Sequence, residues 1–219
     1  MQRGYPLCVP SLDEIRRALA AHAANSIEGE AASRAAVAMV LREASGGPEV
    51  LFIERASHPA DPWSGQMAFP GGRVEPGDAN AREAAERETL EEVGVELAEA
   101  ERLGRLDDKP GNPESRLDLV ISVYVYRVSA PIRLVTNYEV RSAFWFSIPA
   151  LAEPARRVTH VVRDLPFPGI LVGQPDRHVV WGLTYSFLES FFSALDRPLP
   201  DRWSPALRAY ARRAQGARA

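Results

Sequence analysis

The amino-acid sequence predicts an α+β fold, a mixed β-sheet held between helical layers in an α/β/α sandwich. Strand-like runs stand on both sides of one central helix-forming stretch, 79–93. A capped helix precedes them, and a largely apolar helix follows near the end of the chain.

Taken in order, Ser11-Leu12-Asp13-Glu14 has the form of a capping box, a hydroxyl at the N-cap with a carboxylate three residues on. A helix is expected from there to about Ala24, and Asn25 to Ala32 is a polar break. Ala35 to Leu41 and Val50 to Ile53 read as two strands joined by a turn at Gly46-Gly47-Pro48. Ala56 to Gly77 is crowded with Pro, Gly and Asp and reads as loop, interrupted by the apolar Met67-Ala68-Phe69. From about Ala79 to Val93 the chain has good helix formers and neither Pro nor Gly, and Gly94 stands where a left-handed C-cap residue is wanted. Leu117 to Val128, rich in Val, Ile and Tyr, is the clearest strand; Glu139 to Phe146 is another. Trp181 to Leu195 reads as a buried helix, with Leu183, Phe187, Leu188, Phe191 and Phe192 apolar and Asp196 and Pro198 near its end. No internal repeat or low-complexity tract is seen.

The chain has 219 residues, a formal net charge of −3, 46 % hydrophobic and 25 % charged residues, an ordinary globular balance. One main domain, 33–197, is expected, with an N-terminal helical extension, 1–32, and a C-terminal helical tail, 198–219. The charge argues against a nucleic-acid partner; the late arginines Arg202, Arg208, Arg212, Arg213 and Arg218 read as a solvated terminal helix. The one cysteine, Cys8, permits no internal disulfide and points to an intracellular location. No stretch approaches the ~18 apolar residues of a membrane span, and Met1 to Pro10 lack the apolar run of a secretory signal. A cytoplasmic protein is expected.

Chemistry concentrates in Gly71-Gly72-Arg73-Val74-Glu75-Pro76-Gly77-Asp78 and in the helix carrying Arg87-Glu88-Thr89-Leu90-Glu91-Glu92-Val93-Gly94-Val95. At about 100° per residue, Glu91 falls about 60° to one side of Glu88 and Glu92 about 40° to the other. Three like charges on one face repel and raise one another's pKa. A hard divalent cation would turn the repulsion into a binding site, because Mg²⁺ takes carboxylate oxygens and water. The pair Gly71-Gly72 permits close backbone approach, and the Gly71 carbonyl could then serve as a further ligand. Glutamate-rich helices are usually solvated faces; the Gly-rich loop ahead, Arg87 beside Glu88 and the terminating Gly94 set this one apart.

These residues resemble the box of the Nudix hydrolase superfamily, which closes in Arg-Glu-U-x-Glu-Glu-x-Gly-U with U apolar. Arg87, Glu88, Glu91, Glu92, Gly94 and Val95 fit that half. Counting from Gly72, Asp78 takes the place of an earlier glutamate, the gap from Asp78 to Arg87 is one residue longer than in the pattern, and Thr89 occupies an apolar position. Asp78 reads as an N-cap or loop brace rather than a ligand. The longer spacing, with Gly65-Gln66-Met67-Ala68-Phe69-Pro70-Gly71-Gly72, Glu139-Val140 before Phe144-Trp145-Phe146, and Val180-Trp181-Gly182-Leu183-Thr184, is similar to the coenzyme A diphosphatase branch. Arg55-Ala56-Ser57 and Trp63 depart from it, where that branch has Arg-Ser and a histidine. The likeness covers roughly Ser33 to Phe192.

The resemblance implies a Nudix fold and hydrolysis of a nucleoside diphosphate linked to another moiety. For coenzyme A the products would be adenosine 3′,5′-bisphosphate and 4′-phosphopantetheine. The alternatives are ADP-ribose, dinucleotides or oxidised nucleotides, and a non-catalytic nucleotide-sensing module. The cofactor would be Mg²⁺ or Mn²⁺, held by Glu88, Glu91 and Glu92 with Gly71. Arg87 would orient Glu91 or Glu92, or form a surface ion pair. The base would be a box glutamate or Glu139, itself otherwise an exposed strand-edge acid. Arg55, Gln66, Gly71 and Gly72 would meet the substrate, though Arg55 also suits an exposed strand end. His58, His160 and His178 read as loop or surface residues. The expected partner is a small-molecule nucleoside diphosphate, with neither nucleic acid nor membrane, and a homodimer stays open.

Overall fold

The computed structural model describes residues 10–29, 31, 33–58, 63–112, 115–129, 131–162, 164–175 and 177–202. Cys8 and the arginines from Arg208 onward lie outside these residues, as does all but the first five residues of the expected tail. Among the described residues no helix is long and apolar enough to cross a membrane.

Helix α1, Leu12–Ala21, begins in the expected capping box: Glu14 N donates to Ser11 Oγ at 3.2 Å and Ser11 N to Glu14 Oε2 at 2.8 Å. It ends earlier than expected. His22 turns extended, and from Asn25 the chain is tied to Asp107 and Asp108: Asn25 N donates to Asp107 Oδ1 at 2.8 Å and Ile27 N to Asp108 Oδ2 at 3.0 Å.

Strand β1, Arg34–Ala44, is the axis of the sheet, with β2, Gly47–Arg55, following across a tight turn. β1 and β2 pair only from Leu41 to Ala44 and then diverge. Into that fork fit two short strands, β3, Met67–Ala68, against β2 and β4, Gly71–Arg73, against β1. Both lie in the stretch expected to be loop. After β4 comes α2, Ala81–Val93, capped by the Asn80 side chain and closed by Gly94 at φ 70°, whose N–H donates to Leu90 O at 2.9 Å.

β5, Glu101–Asn112, and β6, Ser115–Val128, form an antiparallel pair, and β6 lies parallel to β1 along Arg34–Arg42. β7, Val140–Ser147, pairs antiparallel with the other edge of β2, so the sheet is mixed, as expected. The short α3, Ile148–Leu151, leads to a separate sheet of β8, Arg157–Val162, β9, Leu165–Leu171, and β10, Val179–Val180. The last described helix is α4, Gly182–Ala194.

Alternation along β1 sets the layers. Ala36, Ala38 and Val40 pack with Ala85 and Val93 of α2. Ala35, Met39 and Leu41 face the opposite core with Leu12, Ile15 and Leu19 of α1 and Leu188 and Phe191 of α4. Successive strand side chains point to opposite faces, so a strand apolar at nearly every position needs cover on both. α1 thus packs into the main core although it falls in the expected extension.

The small sheet is tied to the large one through a buried charge. The Glu54 carboxylate, on β2, accepts from Arg177 Nε at 2.7 Å and from Ser142 Oγ at 2.8 Å. His178, expected in a loop or at the surface, lies in the loop before β10 and is buried beside Glu54, with Nε2 at 3.5 Å from the carboxylate, while its Nδ1 accepts from Gln174 N at 3.1 Å. The Arg177 bond holds the Glu54 pKa down at about 2, against 4.5 for an ordinary glutamate. A depressed carboxylate pKa stabilises the fold above the unfolded value and loses that stabilisation as pH falls through the folded one. Glu54→Gln should therefore lower stability at neutral pH by on the order of 2 kcal/mol, allowing for solvent at Arg177. Urea unfolding of both proteins from pH 7 downward should show the difference shrinking between pH 4.5 and about 2.

Candidate active site

The fork between β1 and β2 places Gly71 and Gly72 against α2. Antiparallel pairing of Ala35–Val37 with Arg73–Gly71, and the bond from Ala38 N to Pro70 O at 2.8 Å, hold the segment to β1. Gly71 N–H instead donates to Glu92 Oε2 at 2.8 Å. Glycine is required here, since at φ +148° a Cβ would stand 2.2 Å from Ala36 O. At Gly72 a Cβ would stand 2.4 Å from Glu88 Oε1, so the bare backbone leaves the room that this carboxylate occupies.

The three helix acids have different fates. Glu92 is buried, 1 % exposed, with Arg55 Nη1 at 3.9 Å from Oε1. Burial pushes its pKa up to about 7, against the opposing Gly71 hydrogen bond and Arg55 charge. Glu88 is half-buried, and burial raises its pKa too, opposed by a bond from Arg87. Both line one cavity of about 560 Å³. Glu91 is exposed and is not among the residues lining that cavity; Arg87 Nη1 reaches its Oε2 at 3.4 Å. The expected three-acid face is thus split, with two acids inward and one at the surface.

Arg87 reaches Glu91, one of the two acids it was expected to orient, but its shorter bonds go elsewhere. Nε and Nη2 each donate to the Asp78 carboxylate at 3.0 Å, Nη1 donates to Glu88 Oε1 at 2.9 Å, and Nη2 reaches Arg73 O at 3.2 Å. Of the helix acids it therefore holds Glu88 most closely. The guanidinium keeps the Asp78 carboxyl below the usual range, and Asp78 also accepts from Glu75 N at 2.7 Å. Asp78 is a loop brace, and the N-cap is Asn80. Thr89, buried at an apolar position of the pattern, spends its hydroxyl on Ala85 O at 2.6 Å, so no polar group is stranded.

The remaining expected site residues converge on the same cavity. Arg55 arrives from the end of β2, Gln66 from the loop ahead of β3, and Glu139 from the turn before β7. Glu139 is exposed, with its carbonyl accepting from Ala56 N at 2.7 Å. The sequence reading did not assign Trp63, Thr184 or Phe187 to a site, yet all three line this cavity, as does the exposed His58. The likeness of Val180–Thr184 to the coenzyme A diphosphatase branch was the available signal for Thr184.

Among the described residues no three carboxylate, imidazole or thiol groups converge into a preformed metal cage. The donor chemistry nevertheless fits a hard cation, because Mg²⁺ commonly takes one or two carboxylates, several waters and substrate phosphates. Glu88 and Glu92 in one cavity, with Gly72 clearing space at Glu88, meet that description.

Residues 32–164 match the family model described as NUDIX domain. The mitochondrial coenzyme A diphosphatase NUDT8 of Homo sapiens is 30 % identical over 209 residues, which are 92 % of this chain and 85 % of that protein. An uncharacterized protein of Schizosaccharomyces pombe is 37 % identical over 112 residues, 49 % of this chain; the match spans about a third of its length, 34 %. Among solved structures, a MutT/nudix family protein from Enterococcus faecalis aligns with TM-score 0.51 and 20 % identity over 85 % of this chain and 70 % of that one, a likeness of fold.

Two outcomes follow from the site geometry. Gly71→Ala should destabilise the fold by about 2 kcal/mol or more, since backbone must move, whereas Gly72→Ala should cost less because the flexible Glu88 carboxylate can swing aside. Chemical unfolding of both variants checks the order. For Glu92 the raised pKa means that the folded chain holds its proton more tightly than the unfolded one, so stability falls as pH rises from 4.5 to about 7. In the presence of a chelator, Glu92→Gln should therefore be more stable than wild type above pH 7, by on the order of 3 kcal/mol, and the gain should vanish near pH 4.

Proposed function

The chain belongs to the NUDIX domain family, and from that membership we propose that it hydrolyses the diphosphate linkage of coenzyme A or its derivatives. The observation that carries the reading is the pair of Glu88 and Glu92 in one cavity with Arg55, Gly71 and Gly72. Coenzyme A as substrate is favoured by the similarity to NUDT8 over most of both chains, together with the Gly65–Gly72 and Val180–Thr184 segments.

Glu88 and Glu92 would hold Mg²⁺ or Mn²⁺, with the Gly71 carbonyl as a further oxygen donor and Glu91 at the rim. Such an ion, when bound, would offset the charge of the diphosphate and of the leaving phosphate. The chain's own residues then have distinct tasks. Arg87 fixes the Glu88 carboxylate while Asp78 fixes Arg87, so a guanidinium held at three points sets the acid's direction. Arg55 supplies positive charge on the cavity wall for a phosphate oxygen. Glu139, reaching the cavity from outside α2, takes the proton of the attacking water; this leaves the helix acids as ligands throughout.

Coenzyme A should be turned over in preference to ADP-ribose with Mg²⁺ or Mn²⁺, giving adenosine 3′,5′-bisphosphate and 4′-phosphopantetheine by product chromatography. ADP-ribose as the better substrate would transfer the reading to another diphosphate, and tight nucleotide binding without turnover would make the chain a sensor. Glu92→Gln should lower kcat by about 10²-fold or more and demand more metal. Glu139→Gln should lower kcat by about 10²-fold with the metal requirement unchanged; a shifted metal requirement would place Glu139 among the ligands instead.

A further inference from the structure

Two chain segments separate the carboxylate cavity from a second one. This second cavity, of about 460 Å³, lies between the Trp63 loop and the small sheet. Gln66 borders both cavities. On its loop, Trp63 lines the carboxylate cavity, whereas Ser64 and Gly65 line the second. Where the chain enters α4, Trp181 lines the second cavity and Leu183 and Thr184 the first. Thr184 Oγ1 donates to Met67 O at 3.0 Å and joins the two parts of the partition. The metal-binding acids explain neither segment.

The cavities differ in chemistry. Beyond its acids, the first offers apolar carbon from Val37, Met67, Leu119, Ile121 and Phe187. The second has an aromatic wall, the His160 imidazole stacked on the Trp181 indole with ring centroids 4.3 Å apart. Burial lowers the His160 pKa, which favours the neutral ring. Arg177 also lines this cavity, but its guanidinium is bound to Glu54 at 2.7 Å, so its charge is offset locally. An aromatic wall beside the Gln66 amide and the Thr159 hydroxyl, with little net charge, suits a planar heteroaromatic ring better than a phosphate or an aliphatic arm.

We infer that the second cavity is a nucleobase subsite and that the substrate straddles the Gln66 partition, base on one side and diphosphate on the other. This rests on the chain being a nucleoside diphosphate hydrolase. Stacking recognises the flat face of a base, while the amide and hydroxyl meet its polar edge. The flexible arm of the substrate is left to the apolar wall of the carboxylate cavity.

The test is calorimetric binding of AMP to the full chain in the presence of a chelator, which reads the subsite without turnover. His160→Ala, and Thr159→Trp as a cavity-filling change, should each weaken AMP binding by about tenfold or more. Binding of 4′-phosphopantetheine should stay within about twofold of wild type, since it makes no base contact. Thr159 is exposed on β8, where a tryptophan suits a strand, so this variant tests the cavity even if the histidine change loosens the small sheet. AMP binding that is absent from wild type, or that both variants leave at the wild-type level, overturns the subsite, as does a loss confined to 4′-phosphopantetheine. A chain that binds AMP in this cavity yet hydrolyses neither coenzyme A nor ADP-ribose retains the subsite and loses the proposed reaction.

Discussion

The structure around the site depends on one contact, the Gly71 N–H donating to the buried Glu92 carboxylate at 2.8 Å. A carboxylate with 1 % exposure is costly to ionise, and the hydrogen bond offsets only part of that cost. To bring this N–H to α2, the backbone must adopt a conformation open to glycine and pass within a side chain's width of β1. The fork between β1 and β2 provides the passage, since the two strands pair at their turn and then separate. The acid, the glycine and the divergence of the strands are thus one arrangement seen at three scales.

The same arrangement explains how the Gly-rich segment packs closely without spoiling the core. Small residues on β1, Ala36 and Ala38, admit α2 and the Gly-rich segment closely on one face. The large side chains needed for cohesion, such as Met39, Phe52 and Phe191, gather on the other. Charge is handled in the same graded way. Glu54 is buried with an arginine and stays ionised, whereas Glu92 lies farther from Arg55, and desolvation dominates. One acid stabilises the fold in its charged form, whereas the other is destabilising when charged.

Much of this was legible in the sequence. The capping box, the Gly94 stop and the apolar α4 are local signals, and all three stand in the structure. β5 was not foreseen because it carries many charges, Gly104 and Pro110, and its pairing with β6 slips register at three places. The small sheet was missed as well; β8 alternates between exposed and half-buried residues and has no strong apolar run. At the site, helical spacing grouped Glu88, Glu91 and Glu92 but could not tell which would turn inward, because that depends on where the sheet lies. Glu54 was hidden for a similar reason, its partner Arg177 being 123 residues away. The role of Asp78 as a brace was readable from the altered spacing, although its partner was not.

That brace has a consequence for how loop and helix could vary. In the Asp78–Arg87 fork the distance from the Gly-rich segment to the helix acids is set by a side-chain clasp rather than by the number of intervening residues. The single additional residue before Arg87 need not displace Glu88, because Asp78 holds Arg87 and Arg87 holds Glu88. Loop length and acid position are thereby partly decoupled, so a change of length in this loop would leave the acids in place as long as the aspartate, the arginine and the Asn80 cap of α2 remain.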